Sequence, residues 1–120
     1  MDVRPEPIPR PDWSPVPREG CINVEGKVLR RADDVSLALL RFAPHGTIDE
    51  HPASIAIDVI CLEGGGFTSI AGVAVPLRAG EAIRWPAGQP HRLWTESEGM
   101  LTLMVEHTGG MGRMADAGRR

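Results

Sequence analysis

The stretch from Gly80 to His91, G-E-A-I-R-W-P-A-G-Q-P-H, narrows the possible folds of this chain more than any other. Gly80 permits a tight turn with positive φ, Ala82 to Trp85 reads as a short strand, and Pro86 with Gly88 forces a corner that Pro90 stiffens. His91 is thereby delivered to the start of the next strand. A histidine held by two prolines loses little further backbone entropy when something binds, which suits a ligand position. The rest of the chain has the same character. Fourteen Gly and eleven Pro, with no Tyr and few long helical runs, favour an all-β chain with many turns.

At 120 residues the chain is long enough for one core and too short for two. Its formal net charge of −3 argues against nucleic acid as a main partner, because phosphate binding needs a basic face. The N-terminus lacks an apolar signal core, and no stretch approaches the ~18 apolar residues of a membrane span. A cytoplasmic protein with no membrane partner is expected. Cys21 and Cys61 are then expected as free thiols.

Residues 1–26 form a first region. Prolines at 5, 7, 9, 11, 15 and 17 block helix and leave an extended arm carrying Trp13, which either lies on a surface through that indole or is a disordered leader. Lys27 to Arg31 reads as a charged edge strand. Val35 to Phe42 is apolar at almost every position. Its short length and the Pro44-His45-Gly46 stop favour a strand over the alternative helix. Ser54 to Leu62, S-I-A-I-D-V-I-C-L, has Asp58 as its single charge. A period of two puts Asp58 on one face with Ala56, Ile60 and Leu62, and Ile55, Ile57, Val59 and Cys61 on the other. A buried carboxylate must be paired, protonated or bound to a cation. With Asp58 facing the interior, the opposite apolar face needs a cover, and a homodimer is the simplest one. Glu63 to Gly66 reads as a turn, and Phe67 to Ile70 and Val73 to Leu77 as a hairpin about Ala71-Gly72. Arg92 to Thr95 and Leu101 to Val105 complete the strands. Residues 27–107 are the expected barrel, and 108–120 a tail that is either a frayed short helix or disordered.

The offsets Gly80, Pro86, Gly88 and His91 match the second sequence motif of the cupin superfamily without a gap. Upstream, Gly46, His51, Asp58 and Gly65 resemble its first motif, with Ala53 where the family has a second histidine and Asp58 where it has a glutamate. Over residues 35–107 the chain is similar to a small single-domain cupin. The resemblance implies an all-β cupin double-stranded β-helix, a jelly-roll barrel.

It also implies that His51, Asp58 and His91 converge inside the mouth, as ligands of a divalent metal ion such as Fe, Mn, Ni or Zn. Asp49 and Glu50 are alternative oxygen donors, and a vestigial site, with Asp58 paired to Arg84 or Arg92, is the alternative to a metal. Arg84 and Arg92 are the candidates to bind a substrate carboxylate, since a guanidinium fork matches two oxygens, with Trp85 as pocket wall. No catalytic residue is assigned. Two functions follow: a metal-dependent cupin enzyme acting on a small anionic organic molecule, as a dioxygenase, isomerase or decarboxylase, or a non-catalytic cupin that binds or senses a small-molecule ligand.

Overall fold

The computed structural model describes residues 3–109, and the expected tail beyond 109 lies outside the described residues. The elements in chain order are β1 (Ser14–Pro15), β2 (Cys21–Arg31), β3 (Ser36–His51), β4 (Ile57–Ile70), β5 (Val73–Arg78), β6 (Ala82–Trp85), β7 (His91–Trp94) and β8 (Met100–Glu106). All pairings between them are antiparallel. No helix among the described residues is long and apolar enough to cross a membrane.

Two long strands organise the barrel. The first half of β3 pairs with β8 and the second half with β7, while β4 pairs with β6 and β8 before Gly64 and with β5 and β7 after it. Each long strand therefore belongs to two layers and bends between them. β8 closes one layer between β3 and β4, and β7 closes the other, so the sheet becomes a jelly-roll barrel. The bends occur where the backbone enters the left-handed region, at His45 (φ 58°) and Gly64 (φ 70°). Thr95 fixes the first of them: its Oγ1 donates to Ala43 O (2.6 Å) and accepts from Gly46 N–H (2.9 Å). The expected stops at 44–46 and 63–66 are thus corners inside continuous strands.

The core lies between the layers. Along β4, Ile57, Val59 and Cys61 are buried, whereas Asp58 and Ile60 are only partly covered and Leu62 is exposed. This corrects the expected facing. The apolar face assigned to a dimer partner is the barrel interior, and Asp58 points outward. Burying each of those side chains contributes about 1.5–3 kcal/mol, whereas Asp58 on that face would be a desolvated carboxylate. On the outside it sits opposite Arg84 in register, and the two make a bidentate pair at 2.8 and 2.8 Å.

The barrel also starts earlier than expected. β2 runs from Cys21, and the arm is pinned to it by the pairs Ser14–Gly26 and Pro15–Glu25. Trp13 lies between two cations, with Lys27 Nζ 4.7 Å and the Arg41 guanidinium 4.4 Å from its ring centre. Of the two alternatives for the arm, packing along the barrel is the one observed. Cys21 and Cys61 are free.

Candidate functional site

The site forms where β3 ends and β7 begins. His51 is the last residue of β3, His91 is the first of β7, and the two face each other in register. Their ring centres are 4.6 Å apart with planes at 72°. The rigid turn does what its sequence implies. Gly88 adopts φ 81°, and its N–H donates to Ala53 O (2.7 Å), tying the 86–90 corner to the segment that follows His51.

Both imidazoles are set to the same tautomer by the backbone. His51 Nδ1 lies 2.8 Å from Asp49 O and His91 Nδ1 lies 3.1 Å from Gln89 O. A carbonyl oxygen only accepts, so each Nδ1 carries the proton and each Nε2 presents its lone pair. For His51 that lone pair is taken by Arg18, whose Nη1 donates to it at 2.6 Å. For His91, Nε2 is buried with no hydrogen-bond partner.

His91 is wholly buried, stacked on Trp85 at 3.9 Å between ring centres with planes 13° apart. Burial foremost, then its proximity to His51 and, less, to the Arg18 guanidinium, pushes its pKa down to about 4, against the opposing hydrogen bond to Gln89 O. Trp85 is in turn fixed by its Nε1–H donating to Thr68 Oγ1 (3.0 Å), which donates to Arg92 O (2.8 Å).

A cavity of about 640 Å³ opens over His51 and Trp85. Its interior wall includes Leu40, Ile48, Ile57, Trp85 and Met104, and its mouth is framed by His51 and by Val16, Pro17 and Arg18 of the arm. His91 does not line it. That imidazole stands behind His51 and Trp85.

Of the residues singled out from the sequence, the structure brings together His51, His91 and Trp85. Asp58 is elsewhere, on the outer face with Arg84 and with His107, whose Nε2 lies 2.7 Å from its carboxylate. The bidentate hydrogen bonds from Arg84, foremost, together with His107, hold the Asp58 carboxyl well below the usual carboxylate range against the opposing effect of burial. Arg84 and Arg92 also face outward, each alternating with a buried neighbour, Trp85 and Leu93. Arg92 stacks its guanidinium 4.3 Å over Trp94 and reaches Asp49 at 4.0 Å. Neither arginine lines the cavity.

The residue that sequence reasoning missed is Arg18. Its position after the last proline of the arm and just before Gly20 was the available signal, because an arm that ends in a glycine turn must deliver that side chain onto the barrel. Gly20 adopts φ 84°, Cys21 N–H donates to Arg18 O (3.1 Å), and Asp49 N–H donates to Gly20 O (3.0 Å). The turn that follows Arg18 is thus tied, through Gly20, to the residue two before His51.

The sequence matches the family model described as the cupin domain over residues 38–106. Among solved structures, the polyketide cyclase RemF from Streptomyces resistomycificus is similar with a TM-score of 0.75 and 22% identity, over 89% of this chain and 80% of that one. A cupin-2 domain from Rhodospirillum rubrum gives 0.73 and 16% identity, over 89% and 74%. KdgF from Halomonas sp. gives 0.70 and 15% identity, over 80% and 86%. No curated protein matches. A barrel closed in two layers, with the motif histidine 91 at its expected place, agrees with the family match: this chain belongs to the cupin family.

Cupins often bind metals, and the donors present here were expected to do so. They do not fit a resident divalent ion. Among the described residues no group of three or more His, Cys, Asp or Glu side chains is placed to hold one. Position 53, which lines the cavity beside His51, is alanine. The lone pair of His51 that an ion would take already accepts a hydrogen bond from a cation.

Proposed function

We propose that this cupin binds a small organic anion, with the apolar body of the ligand inside the barrel and its negative group at the mouth. The observation that carries this reading is Arg18. Its guanidinium stands at the rim of a largely apolar cavity with an imidazole nitrogen as its hydrogen-bond partner and, among the described residues, no carboxylate in an ion pair with it. A guanidinium in that setting has donors left over, and two of them match the two oxygens of a carboxylate.

The walls set the rest of the ligand. Leu40, Ile48, Ile57 and Met104 take an aliphatic or aromatic body, and Trp85 offers an edge or face to a flat one. A monocarboxylic acid with an apolar tail satisfies both ends. Of the two functions expected from the sequence, this is ligand binding or sensing, and it does not depend on a metal bound to His51, Asp58 and His91. RemF and KdgF are similar in fold alone, and their chemistry is not carried over.

The test is calorimetric titration of the full chain with a series of alkanoic and arylcarboxylic acids and the matching primary amides. Carboxylates are expected to bind, the amides at least about tenfold more weakly, and Arg18→Gln to remove that preference, since tenfold corresponds to ~1.4 kcal/mol of differential interaction. Equal affinity for acid and amide, or an unchanged preference in Arg18→Gln, overturns it.

A further inference from the structure

We infer that Arg18 is the resident cation of this barrel, its guanidinium standing in the coordination position that a metal ion would need at His51. The inference rests on the reading of Arg18 as the anion-binding group and adds what the site excludes.

Three observations carry it. First, the contact is made at the ligating atom: Arg18 Nη1 donates to His51 Nε2 at 2.6 Å, and Nε2 is the nitrogen left with a lone pair once Nδ1–H is given to Asp49 O at 2.8 Å. A backbone carbonyl that fixes the tautomer in this way is how a ligand histidine is prepared, so the ring is aimed, and a guanidinium receives it. Second, the other positions that the family's motifs would supply as ligands are committed or missing. Asp58 is held on the outer face by Arg84 and His107, position 53 is alanine, and His91 is sealed behind Trp85. Third, the backbone that carries the exposed Arg18 side chain is fixed to the strand end that carries His51. The Arg18 carbonyl accepts from Cys21 N–H, the following Gly20 turn accepts from Asp49 N–H, and Gly20 is packed so closely that an added Cβ would lie 3.1 Å from Asp49 Cβ. The turn that carries Arg18 and the strand end that carries His51 are one hydrogen-bonded unit.

The chemical consequence is a permanent single positive charge where a relative with a metal has an exchangeable double one. It is indifferent to chelators, and it offers directed N–H donors to an anion. A divalent ion at bonding distance from His51 Nε2 would have to displace this donor and share the mouth with its charge.

The experiment is metal titration of the full chain, dialysed against EDTA and then given Zn(II), Ni(II), Mn(II) or, under anaerobic conditions, Fe(II), read by elemental analysis, calorimetry and melting temperature. The wild type is expected to retain well under about one-tenth of an equivalent and to show no shift in melting temperature with metal or EDTA. In Arg18→Ser, Zn(II) affinity is expected to rise at least about tenfold, and Arg18→Gln serves for the same comparison should the serine variant not fold. Near-stoichiometric metal in the wild type that raises its melting temperature and is lost in His51→Ala overturns the inference. So does an Arg18 variant that folds and binds Zn(II) no better than the wild type. The two readings fail separately: a wild type that excludes metals but shows no preference for carboxylates over amides removes the anion reading and leaves the guanidinium in the metal's place.

Discussion

Protonating His91 means placing a charge in the slot between Trp85 and His51, where Nε2 meets no acceptor. Its pKa is lowered to about 4 from 6.5, so the neutral form stabilises the fold fully above the unfolded pKa. That contribution is lost as pH falls from about 6.5 to about 4, because the unfolded chain takes the proton first. The loss is on the order of 3 kcal/mol for a shift of this size, and urea unfolding between pH 4 and pH 7.5 should show it as a sloping limb. His91→Gln is expected to flatten that limb. Asp58 acts in a separate window. Its pKa is depressed, so its pairing stabilises the fold above the unfolded value of 3.8 and is lost only at more acidic pH. Asp58→Asn is expected to lower stability at pH 7 by about 1 kcal/mol, as suits a half-exposed pair, and to leave the limb between pH 4 and 6.5 in place. At this scale His91 was legible because Gly and Pro at fixed offsets fix a backbone. Asp58 was misplaced because alternation reveals that two faces differ and not which one is inside. Its partner supplied the missing sign: Arg84 lies opposite it in register, a relation between strands that a single strand's sequence does not contain.

The two long strands show a comparable limit at the level of elements. Pro44-His45-Gly46 and Glu63-Gly64-Gly65-Gly66 carry the residues of a turn, and what they form are bends through which β3 and β4 pass from one layer to the other. Glycine there meets a steric demand. A Cβ on Gly64 would run into the backbone carbonyl of Gly99, and Gly64 also has φ 70°. Gly72 has a similar φ of 82° in the Ala71-Gly72 hairpin, with nothing within 4 Å of the added atom. The pair separates strain from crowding. Gly72→Ala should cost about 1–2 kcal/mol, the price of the left-handed conformation, and Gly64→Ala about 3 kcal/mol or more, read as the difference in urea midpoint at constant slope. Equal losses in the two variants would mean that the corner at Gly64 relaxes. The hairpin itself was legible from its sequence, since a two-residue loop with positive φ at both positions, Ala71 at 49° and Gly72 at 82°, matches the twist of its strands.

Over the whole molecule, the arm is part of the vessel. Trp13 sits between Lys27 and Arg41, the two residues of β1 pair with β2, and Val16 N–H donates to Val24 O (3.1 Å), which brings Val16, Pro17 and Arg18 to the cavity mouth. Trp13→Ala should lower the melting temperature by only a few degrees, because the indole is half-exposed, while hydrogen exchange at the Val16 amide speeds up at least about tenfold. An unchanged rate at Val16 would show that strand pairing alone holds the arm. The 55–61 face cannot serve as the dimer surface expected from the sequence, because its Ile57, Val59 and Cys61 are buried within their own chain. Arg18 lies outside residues 38–106, the segment by which the family is recognised. The proposed anion-binding charge is therefore carried by a stretch of chain separate from the one that marks the family. Leaders of other composition, grafted ahead of β2, would retune what the mouth admits, provided that they keep an apolar residue where Val16 packs against the core.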